Sequence, residues 1–144
     1  MNSDFKELLQ IFNAHEVEYM IVGGYAVAFH GHPRFTKDID FFYNNTLQNV
    51  KNLINCLISF GFPQSDLSEE VFLTPGNIIT FGVEPVRVDI MNEISGITFT
   101  ESWPHHLRGH YGEIEANFIS KIDLIKNKLA TTRLQDKADA EALY

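Results

Sequence analysis

Two consecutive glycines, Gly23 and Gly24, end the short apolar run Tyr19-Met20-Ile21-Val22. Such a run before a turn signal is typical of a buried strand, and paired glycines allow a sharp turn. A second strand is predicted at Asp38-Ile39-Asp40-Phe41-Phe42, where acidic and apolar residues alternate. The chain is therefore expected to contain a β-sheet.

Helical spacing of apolar residues predicts the segments that surround these strands. Gly61 gives the helix over 47–60 a natural end, and Ser120 with Asp123 resembles a capping box at the start of a later helix. The predicted helices are 4–14, 25–30, 47–60, one with Phe118, Ile122, Ile125 and Leu129 on its apolar face, and a short last helix near Thr132 and Gln135.

Further strands are predicted at 70–73, 78–83, 86–91 and 97–100, and a loop is predicted at 102–112. Helices and strands in this order predict an α/β (α+β) domain, a mixed β-sheet flanked by helices. The 144 residues are expected to form this single domain, with helices of 117–144 packed on it.

Composition and charge limit the partners of the chain. The formal net charge is -8, which disfavours a partner bound mainly through nucleic-acid phosphates. One cysteine, Cys56, excludes an intrachain disulfide, and neither a secretory signal nor a membrane span is visible. The sequence therefore predicts a cytoplasmic protein without a membrane partner.

Three carboxylates form the candidate functional site. Asp38 and Asp40 are two residues apart on one strand, so both side chains lie on one face. In Val86-Arg87-Val88-Asp89-Ile90, alternation places Asp89 opposite the buried face of its strand. If the two strands are neighbours, three carboxylates converge, and such oxygen ligands suit a hard cation such as Mg²⁺.

These residues resemble a known family. Val22-Gly23-Gly24, the segment from Arg34 to Asp40, and Val88-Asp89-Ile90 look like motifs of the nucleotidyltransferase superfamily of the DNA polymerase β type. The similar branches are small bacterial members: AbiEii-type toxins, minimal nucleotidyltransferases with HEPN partners, and lincosamide and aminoglycoside nucleotidyltransferases. The resemblance extends over most of the chain.

The resemblance implies roles for the motif residues. Gly23 and Gly24 would cradle the triphosphate of an NTP substrate through backbone N–H groups. Asp38, Asp40 and Asp89 would be both catalytic residues and ligands of Mg²⁺ or Mn²⁺, with Asp89 as the general base.

Basic residues supply further candidates for nucleotide binding. Arg34 and Thr36 precede the acid pair, and Arg34 could clamp a phosphate with its fork of donors. Lys128 borders the apolar stripe of its helix and is a candidate triphosphate contact. Lys128, Arg133 and the run Asp136-Lys137-Ala138-Asp139 resemble a segment of AbiEii-like proteins, although Arg133, Asp136 and Lys137 equally fit surface pairs.

The leading functional prediction is metal-dependent transfer of an NMP group from an NTP to an acceptor hydroxyl, with release of pyrophosphate. The acceptor could be a protein, a tRNA or a small molecule; net charge disfavours nucleic acid and weakly favours a protein. The alternative is a non-catalytic binding or regulatory module of a toxin–antitoxin-like pair. The sequence predicts neither the oligomeric state nor the base preference.

Overall fold

The computed structural model describes residues 3–33, 38–82 and 87–144. Its strands are β1 Tyr19–Val22, β2 Asp38–Tyr43, β3 Ile78–Phe81, β4 Arg87–Met91, β5 Leu107–Tyr111 and β6 Ile114–Phe118. In this part of the chain they form one six-stranded sheet in the order β3-β4-β2-β1-β6-β5. The pairs β1–β6 and β2–β4 are parallel, whereas β1–β2, β3–β4 and β5–β6 are antiparallel. The predicted mixed sheet is confirmed.

Helices cover the sheet. They are α1 Ser3–Ala14, α2 Gly23–Phe29, α3 Leu47–Phe60, α4 Glu69–Leu73, α5 Phe99–Ser102, α6 Lys121–Leu129 and α7 Leu134–Leu143. Single 3₁₀ turns lie at Gln64–Asp66 and Trp103–His105. No helix in these described ranges is long and apolar enough to cross a membrane.

Side-chain alternation along the central strands produces two cores. In β1, Tyr19 and Ile21 enter the core formed with α1, α3 and α4, whereas Met20 and Val22 enter the core formed with α2, α5, α6 and α7. Because both faces of a central strand are covered, β1 is buried along its whole length. The apolar run before the two glycines is therefore the centre of the fold.

The first and third helices agree with the prediction. The apolar residues expected on the inner face of α1 are all buried. The α3 helix begins after Thr46, whose side chain accepts a hydrogen bond from the Asn49 N–H, and it ends at Gly61, whose φ of 123° favours glycine. The α2 helix begins at Gly23, two residues before its predicted start at 25.

Two of the predicted strands are wrong. Residues 70–73 lie in α4, because Ser68 caps the Val71 N–H and only Phe72 of this helix is buried. Residues 97–100 do not form a strand; Thr98 caps α5, accepting from the Glu101 N–H at 3.2 Å and donating to the Glu101 carboxylate at 2.7 Å. In both cases capping outweighs the strand propensity of the apolar residues.

The loop predicted over 102–112 is also wrong in its second half. Residues 107–111 form β5, which makes a hairpin with β6 through Gly112 at φ 63°. Phe118, assigned to a helix from its spacing, is the last residue of β6. The chain after it forms α6 with the predicted Ser120 cap, but Ile122 and Leu129 are 70% and 51% exposed, so the predicted apolar face is not the buried one.

Candidate active site

The predicted acids meet on two adjacent strands. Asp40 of β2 is directly opposite Asp89 of the parallel strand β4, and Asp38 is opposite Arg87. On its other side, Asp40 is in register with Val22, the residue before the two glycines. Parallel pairing in this register therefore brings Asp38, Asp40 and Asp89 to the same sheet face, with Asp40 and Asp89 side by side and Asp38 two residues along β2.

Gly23 lies in contact with Asp40. A Cβ built on Gly23 would be 2.2 Å from Asp40 Oδ2, and the φ of Gly23 is +69°. Both the conformation and the contact require glycine at this position. Gly24 is buried in the first turn of α2. The glycine turn thus brings its backbone directly against the Asp40 carboxylate.

The environment of Asp40 disfavours ionisation of its carboxyl group. Burial raises the pKa of Asp40 to about 7, with further contributions from the charges of Asp89 and Asp38 and from a hydrogen bond to Asp89. The positive charge of Lys128 acts in the opposite direction. Close carboxylates that cannot all ionise at neutral pH form a site in which a cation is favourable.

Asp89 and Asp38 share a cationic neighbour. Asp89 Oδ1 accepts hydrogen bonds from Thr80 Oγ1 at 2.7 Å and from Arg87 Nε at 3.2 Å. The same Arg87 Nε lies 3.8 Å from Asp38 Oδ2. The hydrogen bond to Asp89 is the largest cause of the raised pKa of Arg87. Sequence alternation placed Arg87 on this face, but its contact with both acids was not predicted.

The acids fit a divalent cation by chemistry. Hard cations prefer carboxylate oxygens, and the neighbouring carboxylates of Asp89 and Asp38 add to the effect of burial in raising the pKa of Asp40. Within the described ranges, however, no three His, Cys, Asp or Glu side chains are already arranged around one ion position. Coordination by all three acids therefore requires side chains to turn away from their present partners.

A cavity of about 580 Å³ opens beside these acids. Its lining includes Gly23, Asp40, Asp89, Lys128 and Arg133. The cavity therefore places the glycine turn, two of the carboxylates and the C-terminal basic residues around one volume. This is large enough for a small ligand.

Lys128 is held by two acids of α7. Its Nζ lies 3.0 Å from Asp136 Oδ1 and 3.2 Å from Asp139 Oδ2, and all three residues are at most 6% exposed. Thr131 Oγ1 donates to Asp136 Oδ2 at 2.7 Å, and Gln135 Nε2 donates to Asp139 Oδ1 at 2.9 Å. Asp136 is therefore buried beside Lys128, and its predicted i,i+3 pair with Arg133 is also present.

In the cluster of Lys128, Asp136 and Asp139, hydrogen bonds and ion pairs compensate for the burial of the charged groups. Burial alone would raise the pKa of Asp136, but hydrogen bonds from Thr131 and Lys128 outweigh it and the pKa is lowered. Lys128 faces two carboxylates, so it is a compensated cation rather than an isolated one. Arg133, with Nε 3.9 Å from Asp136 Oδ2, is 75% exposed and remains accessible from the cavity.

The described ranges do not cover every predicted site residue. Arg34 and Thr36 fall outside the described residues. Thr80 on β3, which is paired with Asp89, was not predicted at the site. The ion pair of Asp139 with Lys128 was not predicted either, because it depends on the packing of α6 against α7.

The fold and these paired strand acids define the class of the protein as a nucleotidyltransferase-like domain. A family model described as "Nucleotidyl transferase of unknown function (DUF2204)" matches residues 1–136, and the chain belongs to that family. Membership supports nucleotide transfer as the class of activity.

The fold is also similar to a solved structure, the lincosamide antibiotic adenylyltransferase LnuA bound to lincomycin. The TM-score is 0.57 at 16% sequence identity, over 99% of this chain and 96% of that one. This likeness concerns the fold. A search of curated protein sequences finds no significant match.

Proposed function

We propose that this chain transfers an NMP group from an NTP to an acceptor hydroxyl in a reaction that depends on Mg²⁺ or Mn²⁺. The acceptor oxygen forms a bond to the α-phosphorus, the bond to pyrophosphate breaks, and the hydroxyl proton passes to a carboxylate. Asp89, by the family resemblance, is the proposed base.

The observation that carries the proposal is the direct register of Asp40 with Asp89 beside Gly23, at the wall of one cavity. Asp38 completes the proposed metal ligands. When bound, a divalent cation would neutralise phosphate charge and favour ionisation of the attacking hydroxyl. The chain itself positions the reactants and holds its carboxylates ready on two rigid strands.

The phosphates are proposed to lie between the glycine turn and the C-terminal helices. Gly23 and Gly24 offer backbone N–H groups at the start of α2, and Arg133 offers an exposed guanidinium in the same cavity. Lys128 adds positive charge at the cavity wall, and its charge already acts to lower the pKa of Asp40. Its two carboxylate partners fix its position, so we assign Lys128 to orientation of the cavity wall as well as to phosphate binding.

A second candidate is nucleotide binding without transfer, in a regulatory module. Arg87 favours it, because one guanidinium already occupies the space near both Asp38 and Asp89. In that case the chain would bind an NTP but release no pyrophosphate. A role in a toxin–antitoxin-like pair would correspond to this second candidate function.

The experiment follows the fate of NTPs labelled on the α-phosphate. The protein, Mg²⁺ and each labelled NTP are incubated with separate protein, RNA and small-molecule fractions of a cell extract. Transfer of label to one fraction, abolished in Asp38→Ala/Asp40→Ala, supports the proposal. Label transfer that survives this double substitution would refute the assignment, and binding without transfer would favour the regulatory module.

A further inference from the structure

One row of paired residues crosses four strands of the sheet at the level of two of the acids. Val22 of β1 is paired with Asp40 of β2, and Asp40 is paired with Asp89 of β4. Asp89 is in turn paired with Thr80 of β3, which forms one edge of the described sheet. We call these four residues the acid row. Its two carboxylates therefore lie between an apolar side chain and a hydroxyl.

Asp89 Oδ1 accepts hydrogen bonds from two different donors. The Thr80 hydroxyl donates at 2.7 Å, and Arg87 Nε donates to the same oxygen at 3.2 Å. Directly paired residues of antiparallel strands have Cβ atoms about 5 Å apart, so the contact with Thr80 follows from the register of β3 with β4. Asp89 is 8% exposed, whereas Thr80 is exposed. The hydroxyl therefore links a buried carboxylate to the edge strand.

The two donors to Asp89 differ in charge. Arg87 is a cation whose Nε also lies 3.8 Å from Asp38 Oδ2, so it competes with a divalent cation for both acids. The Thr80 hydroxyl is neutral, so it orients Asp89 and leaves the negative charge of the carboxylate available. Carboxylates that bind metals are commonly held by such outer hydrogen bonds, and loss of one typically costs about 10–100-fold in affinity or activity. The two donors should therefore affect cation binding in opposite directions.

The position of the Thr80 hydroxyl is restricted by the fold. Its backbone is paired with β4, and the branch at its Cβ restricts χ1. Because Oδ1 of Asp89 already accepts from two donors, Oδ2 is the oxygen that remains for a cation or for the proton of an acceptor hydroxyl. Asp40 shares a further hydrogen bond with Asp89 from the other side of the acid row. Thr80 therefore holds Asp89 from the β3 side, opposite the place of the second acid.

We infer that Thr80 is a positioning residue for Asp89: its hydroxyl fixes Oδ1 at the edge strand and directs Oδ2 towards the divalent cation and the acceptor hydroxyl. The inference rests on the proposed function, in which Asp89 is a metal ligand and the base. Arg87 gives up its contacts with Asp38 and Asp89 when a cation binds, whereas Thr80 keeps its hydrogen bond. Thr80 therefore acts on the reaction only through Asp89.

The first test needs neither a metal nor a nucleotide. In EDTA, NMR three-bond couplings across the Cα–Cβ bond of Asp89 report whether its side chain occupies one χ1 rotamer. Wild type and Thr80→Ser, which keeps the hydroxyl, are expected to show one rotamer. Thr80→Val keeps the shape and the strand preference but lacks the donor, so it is expected to show averaging. Thr100→Val, at an exposed threonine of α5, is the matched control, and a single rotamer in Thr80→Val would overturn the inference.

The second test measures the binding of Mn²⁺ alone by electron paramagnetic resonance. Thr80→Val is expected to weaken Mn²⁺ binding by about tenfold, whereas Thr80→Ser and Thr100→Val should change it less than about twofold. Arg87→Gln removes the competing cation and is expected to tighten binding. Damage to the fold would weaken binding in both Thr80→Val and Arg87→Gln, so the opposite signs separate positioning from a merely structural role. Mn²⁺ binding in Thr80→Val that is as tight as in wild type, or tighter, would overturn the inference.

Further outcomes separate this inference from the proposed function. With the fraction that accepts label, Thr80→Val should lower kcat about tenfold and change KM for the NTP less than about twofold; a raised KM with unchanged kcat would make Thr80 a substrate contact and overturn the positioning role. If Thr80→Val frees the Asp89 side chain but wild type binds no Mn²⁺, the positioning of Asp89 stands and the metal-dependent function fails. If label is transferred but the Asp89 rotamer is the same in wild type and Thr80→Val, this inference alone fails.

Discussion

Replacing Lys128 by Met should strongly destabilise the protein, because it leaves two buried carboxylates without their cation. Lys128 is 6% exposed, and its partners Asp136 and Asp139 are 4% and 3% exposed. Removing one member of a buried ion pair typically costs about 3–5 kcal/mol. For a domain of this size, that is a decrease of roughly 10–17 °C in Tm.

The assay is urea denaturation at neutral pH, with the free energy of unfolding obtained by linear extrapolation. Lys126→Met, on the exposed side of the same helix, is the matched control and should change stability by less than about 0.5 kcal/mol. Adding Asp136→Asn and Asp139→Asn to Lys128→Met should recover part of the loss, since no buried charge then remains uncompensated.

The pH dependence of stability provides a further test of this prediction. The folded-state pKa of Asp136 is lowered, so its contribution to stability is present at neutral pH and is lost as the pH falls through its folded-state pKa. The difference between wild type and Lys128→Met should therefore decrease in acid. A loss below about 1 kcal/mol at neutral pH, or a loss equal to that of Lys126→Met, would refute the description of this cluster.

Three other substitutions test the acids and the glycine turn. In EDTA, Asp40→Asn should be more stable than wild type at pH 8. Because the folded-state pKa of Asp40 is raised to about 7, wild type loses up to about 1.4 kcal/mol of stability per pH unit between pH 4 and 7. Parallel curves of stability against pH for the two proteins, measured by urea denaturation, would contradict this. Asp66→Asn, at an exposed carboxylate, should follow wild type. Gly23→Ala should lower stability by about 1–3 kcal/mol in thermal unfolding and abolish stabilisation by Mg²⁺ with NTP, whereas Gly61→Ala, also at positive φ but with no atom within 4 Å of the added Cβ, should keep the ligand response. Arg87→Gln should destabilise the protein in EDTA, and calorimetric titration with Mg²⁺ should show tighter binding than in wild type; unchanged Mg²⁺ affinity would contradict a cationic role for Arg87 between the acids.

The convergence of the three acids was predictable because strand alternation alone decides which face each residue occupies. Asp38 and Asp40 differ by two positions, and Val88 and Ile90 identify the buried face on either side of Asp89. Only the adjacency of the two strands had to be assumed, and the register of β2 with β4 satisfies that assumption.

The cluster around Lys128 could not be predicted in the same way. Its geometry depends on how α6 packs against α7, and no local period in the sequence reports that contact. From the sequence, Asp136 fits a surface pair with Arg133 as well as it fits the AbiEii-like segment. Burial of a lysine with two aspartates is a tertiary effect that overrides the usual exposure of charged residues.

The β5 strand was missed because its sequence hides the alternation. Arg108, Gly109 and His110 form a polar, glycine-containing segment that is typical of a loop. The structure gives the reason for the glycine: Phe29 of α2 packs directly on it. The residue that made the segment look like a loop is therefore the one that the packing of Phe29 on β5 requires.

The most direct test of the central claim is thermal unfolding with each of the four NTPs, with and without Mg²⁺, for wild type and Asp40→Asn. A ligand at about 100 times its Kd should stabilise the native state by about 2.7 kcal/mol. The account predicts a Mg²⁺-dependent increase in Tm with at least one NTP in wild type and none in Asp40→Asn. No shift in wild type with any NTP, or an equal shift in the variant, would contradict a nucleotide site built on these carboxylates.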